Sequence, residues 1–155
     1  MKNIGKIPEE LRQIPQWVVW RLVDRDGKKT KFPFDPVSGK PASTTDPQTW
    51  QAFDDALRAC ERGGYSGLGF VFSEGDPYAG IDLDHVRDPD TGQFEPWARE
   101  IITQLSSYTE LSPGGTGAHI IVRAKVPGTR RRKGDIEIYD AGRYFCMTGE
   151  RLEGM

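Results

Sequence analysis

At 155 residues the chain fits one domain with room for a sizeable core, and 36% hydrophobic against 28% charged residues excludes a disordered or fibrous protein. A formal net charge of -2 argues against coating nucleic acid by bulk electrostatics, and a mean hydropathy of -0.60 without a long apolar run excludes a membrane span. Met1-Lys2-Asn3-Ile4-Gly5-Lys6 holds no apolar signal-peptide core, so the expected location is cytoplasmic; two cysteines, Cys60 and Cys146, are too few for a disulfide scaffold or a four-thiolate zinc site.

In chain order, Pro8-Glu9-Glu10-Leu11-Arg12 predicts a short helix and residues 17–23 a strand. Asp26-Gly27 then turns the chain into a second strand over 30–34, which Pro33 and Pro36 confine to a sheet edge. Residues 37–45 are loop. Asp46 as N-cap and Pro47 at the first helical position predict a helix, with Trp50, Phe53, Leu57 and Cys60 at helical spacing, ended by Gly63-Gly64. Strands follow over 68–72 and 78–84, separated by Glu74-Gly75-Asp76-Pro77. A helix over 95–106 is expected to turn Trp97, Ile101, Ile102 and Leu105 inward, and strands over 108–111, 119–124, 136–139 and 144–148 complete the chain. Strands outnumber helices and short turns join them, which predicts an α+β protein with a mixed or antiparallel sheet.

The chemistry concentrates on three of these strands. Period-two alternation puts Asp82 and Asp84 on one face and Ile81 and Leu83 on the other; His119 likewise opposes Ile120, and Glu137 opposes Ile136 and Ile138. An Asp-x-Asp pair alone is commonplace in solvated turns. Here each polar position is embedded in an apolar alternation, and a half-buried charge needs a compensating partner. Carboxylates at i and i+2 on a strand can bridge two divalent cations about 3.5–4 Å apart, as phosphoryl displacement requires. The leading expectation is a two-metal nucleotidyl-transfer site, with Asp82, Asp84, His119 and Glu137 catalytic and Asp82, Asp84 and Glu137 on the metal.

Two kinds of phosphate contact accompany it. Ser112-Pro113-Gly114-Gly115-Thr116-Gly117 leads into His119, and backbone N–H groups at Gly115, Thr116 and Gly117 can approach a triphosphate. The loop is no Walker A sequence, since no Gly-Lys-Ser/Thr follows. Arg130-Arg131-Arg132-Lys133, with Lys31 and Lys40 near the N-terminal hairpin, are the candidate DNA-binding cations; basic runs of this kind are otherwise solvated loops. Asp88-Pro89-Asp90-Thr91-Gly92-Gln93 is out of EF-hand register and is expected to be a surface turn.

In this order, Asp82-Leu83-Asp84, Gly117-Ala118-His119 and Ile136-Glu137-Ile138 resemble the three motifs of the archaeo-eukaryotic primase superfamily: two acids, a small-x-His and a third acid. Trp17-Val18-Val19-Trp20, Lys31-Phe32-Pro33-Phe34-Asp35-Pro36, Gly67-Leu68-Gly69-Phe70-Val71 and Gly142-Arg143-Tyr144-Phe145 extend the resemblance to the primase-polymerase domain of phage and plasmid replication proteins. It implies one catalytic domain over 1–155, with an RRM-like core over 67–155 and an N-terminal strand-and-helix unit over 1–66, continuing into a helical segment and a helicase. It also implies metal ligation by Asp82, Asp84 and Glu137, with Mg2+ or Mn2+ as cofactor, triphosphate contact by His119, and a further phosphate or template contact by Arg143. The partners would be a DNA template and primer and a dNTP or NTP. One departure is Gly117, where superfamily members often carry Ser. The alternatives are a metal-dependent nuclease on the same acids, or a replication-initiation or single-strand-binding module without catalysis. A rolling-circle nuclease is disfavoured because His85 and His119 form no His-hydrophobic-His pair.

Overall fold

A computed structural model describes residues 4–128 and 131–153. In chain order it contains α1 (Glu9–Arg12), β1 (Trp17–Arg25), β2 (Lys28–Phe34), α2 (Phe53–Arg62), β3 (Gly67–Phe72), β4 (Ala79–Leu83) and α3 (Pro96–Leu105). There follow β5 (Tyr108–Leu111), β6 (Ala118–Val122), β7 (Arg132–Lys133), β8 (Ile136–Tyr139) and β9 (Arg143–Met147). The fold is α+β with two sheets, ordered β2-β1-β3-β9 and β5-β6-β4-β8-β7. The chain divides into two compact units. One comprises Pro8–Val71 and Gly142–Met147; the other is built on Phe72–Ala141 with the described residues of Met1–Ile7 and Thr148–Met155.

In the first unit, β1 and β2 pair from Val19↔Phe34 to Arg25↔Lys28 around Asp26 (φ 53°) and Gly27 (φ 79°). Positive φ at both central residues suits the right-handed twist of a two-residue hairpin. β2 lies at the sheet edge, where Pro33 lacks no needed donor. Trp17 is fully buried, edge-on to Phe53 and Phe70 at 4.9 and 5.2 Å, and its Nε1 donates to the Leu11 carbonyl at 3.0 Å. α2 adds Phe53, Ala56 and Ala59 to this core.

The helix expected from Asp46 starts later. Asp46 caps as predicted, accepting from Gln48 N–H, but only one 3-10 turn follows, Pro47–Thr49. Trp50 is extended (φ -104°, ψ 149°), and Gln51 exchanges two 2.9 Å backbone bonds with Trp17 before α2 begins at Phe53. The bridge to β1 and the burial of Trp50, whose Nε1 reaches the Ser43 carbonyl at 2.7 Å, replace the helical bonds that local propensity offered. β3 pairs with β1 from Trp17↔Phe70 to Trp20↔Gly67, so residues 67–71 fall in this unit, and β9 returns to the same sheet. Cys60 is half-buried on α2, where desolvation pushes its thiol up to about 11; Cys146 is buried in β9.

In the second unit β4 pairs antiparallel with β6 and β8, β5 with β6, and β7 with β8. One sheet face carries Ile81, Leu83, Ala118 and Ile120, flanked by Val122, Ile136 and Ile138, and α3 covers it with Ala98, Ile101 and Ile102. Trp97 and Leu105, expected inside, are 39% and 38% exposed. The buried stripe centres on Ala98 and Ile102; Trp97 stands about 100° around the helix from Ala98, and Leu105 ends the helix before Ser106 turns left-handed. Among the described residues no helix is long and apolar enough to cross a membrane.

Gly69 marks the tightest contact in the first unit: a Cβ there would lie 2.7 Å from Tyr144 Cδ2 and 2.9 Å from Val18 Cγ2. Gly69→Ala should cost about 1–3 kcal/mol by overpacking, seen as a lower urea midpoint with unchanged slope.

Candidate active site

The strand register sets five polar residues in one line across the second sheet. Glu110 on β5 is opposite His119 on β6, His119 is opposite Asp82 on β4, Asp82 is opposite Glu137 on β8, and Glu137 is opposite Arg132 on β7. Residues directly opposite one another share a face, so the polar line lies opposite the apolar face that α3 covers. The three expected strands are therefore neighbours in the expected register, and Asp82, His119 and Glu137 are brought together.

The side chains join into two groups along this line. Glu110 is completely buried, and its carboxylate receives Tyr108 O–H at 2.7 Å, Thr148 N–H at 2.8 Å and Gly149 N–H at 3.1 Å. His119 Nδ1 stands 3.3 Å from Glu110 Oε2, and its Nε2 faces Asp82 Oδ1 at 3.8 Å. Burial, and secondarily Glu110, pushes the Tyr108 hydroxyl well above its ordinary range, so it serves as a donor. At the other end Glu137 receives Tyr139 O–H on one oxygen and Arg132 at 3.1 Å on the other. The side chains of Asp82 and Glu137 keep 24% and 17% of their exposure, enough for a ligand to reach them.

Asp84 lies one residue beyond β4. Its N–H still bonds the Asp135 carbonyl at 2.8 Å, after which His85 (φ 56°) turns the chain away. The expected ligands are all carboxylates, the hard oxygen donors that Mg2+ and Mn2+ take, and the donor set suits such a cation. Among the described residues no three His, Cys, Asp or Glu side chains are gathered closely enough to hold a metal ion as they stand, and Glu137 is turned to Arg132 and Tyr139.

In the glycine loop the amides divide. Gly115 N–H bonds the Ser112 carbonyl and Gly117 N–H bonds Ser112 Oγ, both inside the loop. The N–H groups of Gly114 and Thr116 have no partner among the described residues. Arg87 Nη1 holds the loop through the Gly115 carbonyl at 2.8 Å. Of the basic run, Arg130 lies outside the described residues, Arg131 bonds the Gly128 carbonyl and approaches Asp140 at 3.8 Å, Arg132 is on Glu137, and Lys133 is exposed. Lys31, Lys40 and Arg143 are exposed on the first unit.

Sequence reasoning missed Glu110, Tyr139, Arg87 and the Gly114 amide, which has no partner among the described residues. The signal for Glu110 was an acid in the middle of Tyr108-Thr109-Glu110-Leu111, a strand otherwise without charge.

No family model matches the chain. It is 41% identical over 159 residues to the DNA primase-polymerase of Nitratiruptor phage NrS-1. Over that stretch this chain is similar to a primase-polymerase. The alignment covers 97% of it but only 22% of the phage primase-polymerase.

The structure explains the departure at Gly117. A Cβ there would lie 2.5 Å from the Leu83 carbonyl oxygen, which as backbone cannot move aside, whereas one at Gly114 would meet nothing within 4 Å. Introducing the serine that the superfamily often carries, Gly117→Ser, should therefore lower stability by about 1–3 kcal/mol in denaturant unfolding, while Gly114→Ser changes it by less than about 0.5 kcal/mol.

Proposed function

We propose that this chain is the catalytic portion of a template-directed DNA primase-polymerase that acts in phage or plasmid replication. The observation that carries the reading is the single cross-strand line Glu110–His119–Asp82–Glu137, with Asp84 just past its end, in a chain 41% identical to a phage primase-polymerase. Asp82, Asp84 and Glu137 would hold Mg2+ or Mn2+, whose chemistry when bound is to neutralise charge on the attacking oxygen and the departing pyrophosphate.

The chain's own groups supply the remaining work. Repulsion between the carboxylates of Asp82 and Glu137 is offset by His119 on one side and Arg132 on the other, and ligand entry requires Glu137 to leave Arg132. His119 presents Nε2 beside Asp82, facing the space a triphosphate would enter. The free amides of Gly114 and Thr116, backed by Arg87, are suited to phosphate oxygens of the same nucleotide, dNTP or NTP. Exposed Lys31, Lys40 and Lys133 would meet template and primer phosphates, with exposed Arg143 as a further phosphate or template contact, and a helicase region is the natural partner in replication.

The test is extension of a labelled primer on a DNA template, with each nucleotide set and each metal. Extension is expected in the wild type, with Asp82→Ala and Asp84→Ala at background while circular dichroism melting stays within a few degrees of wild type. Primer degradation instead of extension would identify a nuclease, and metal-independent DNA binding without either reaction a non-catalytic module.

DNA affinity supplies a second measurement. Because the stacked Lys31, 5.9 Å over Trp20, and Lys40 have no carboxylate partner among the described residues, their joint replacement by Gln should weaken single-strand binding. The slope of log affinity against log salt should shrink by about 0.7 for each lost phosphate contact.

A further inference from the structure

We propose that Glu110 is a positioning residue for His119: it fixes the imidazole through Nδ1 and so aims Nε2 at the space beside Asp82 where the nucleotide is used. The inference rests on the nucleotidyl-transfer reading for its consequence, though the pairing itself stands on geometry. Glu110 is fully buried, on the strand next to His119 and directly opposite it. A carboxylate in such a place is costly unless its oxygens are occupied, and here they are: Oε1 accepts from Tyr108 O–H and Gly149 N–H, and Oε2 accepts from Thr148 N–H. With three donors already directed at it, the carboxylate has only acceptor capacity left to offer His119. The hydrogen between Nδ1 and Oε2 therefore belongs to the ring, and Nδ1 is the protonated nitrogen.

Two consequences follow. A ring flip is disfavoured, because it would put Cδ2 in place of Nδ1 against Glu110, so Nε2 is held toward Asp82. The segment Thr148-Gly149, by donating two amides to Glu110, fixes the carboxylate that fixes the ring. A carboxylate behind a functional histidine is a recurrent device, and its removal typically costs about 10–100-fold in function. Glu110 touches no reacting atom and works only through His119.

The test begins with the histidine ring itself. The chain has two histidines, and His85 is largely exposed, so 15N-edited imidazole spectra contain two ring systems that His119→Ala assigns. His119 is expected to show a protonated, exchange-protected Nδ1, lost or strongly shifted in Glu110→Gln, whose amide cannot accept from all the converging donors. An unprotonated Nδ1 in the wild type, or an unchanged ring spectrum in Glu110→Gln, would overturn the proposal. Should Glu110→Gln fail to fold, Tyr108→Phe removes a single donor to Oε1 and should shift the same Nδ1 signal; no shift would count against the pairing. In primer extension, Glu110→Gln should lower kcat/KM for the nucleotide by about 10-fold in the wild-type background and leave it unchanged in the His119→Ala background. Independent, multiplicative losses would overturn the claim that Glu110 acts through His119. An inactive wild type would refute the nucleotidyl-transfer reading, leaving the ring spectrum to decide the pairing.

Discussion

The antiparallel register of β4 against β6 and β8 is the constraint on which the rest of this site depends. Asp82 is opposite His119 on one side and Glu137 on the other, so three groups far apart in sequence meet on one line. Strand side chains alternate with a period of two, and a slip of one residue in either pairing would drive an acid into the space under α3. The apolar residues Ile81, Leu83, Ile120, Ile136 and Ile138 forbid that slip, because the same shift would expose them. Core packing and site assembly are thus one requirement on the sequence, and the hydrophobic face guards the polar line more firmly than any contact within it.

Charge balance along the line follows from that register. Glu110, Asp82 and Glu137 would repel one another if nothing stood between them. His119 separates the first two, and Arg132 with Tyr139 occupies the third. The two ends differ in kind. Glu110 is sealed from water and tied by backbone amides, so its partners are permanent. Glu137 is held by an exposed arginine on the two-residue strand β7, a contact of modest strength. One end is buried and multiply bonded, the other half-buried and held by an exposed cation.

Much of this was legible in the sequence, for local reasons. Alternation around Asp82, His119 and Glu137 fixed which face each side chain takes, and the Asp26-Gly27 turn fixed the first hairpin. What was not legible depended on distant residues. The chain around Asp46 carries every local sign of a helix start, yet Gln51 pairs with Trp17 and delays the helix to Phe53. β3 and β9 join the sheet of β1, an arrangement with no local signature because it is set by pairing across the chain. Glu110 escaped notice because its partners Thr148 and Gly149 follow it by nearly forty residues.

Gly117 shows how the same backbone closeness limits chemistry. The residue two before His119 is pressed against the Leu83 carbonyl, at the strand end that carries Asp82, so no side chain fits there. Its N–H is spent on Ser112 Oγ, which closes the loop. Residue 117 therefore offers neither a side-chain hydroxyl nor an amide left over from the loop's own bonding. Among the described residues the amides of Gly114 and Thr116 have no partner, and Arg87 brings a cation to the loop through the Gly115 carbonyl without adding a residue to the crowded strand end. Close packing at the ends of β4 and β6 thus fixes the backbone on both sides of the loop, with His119 the one imidazole on the polar line.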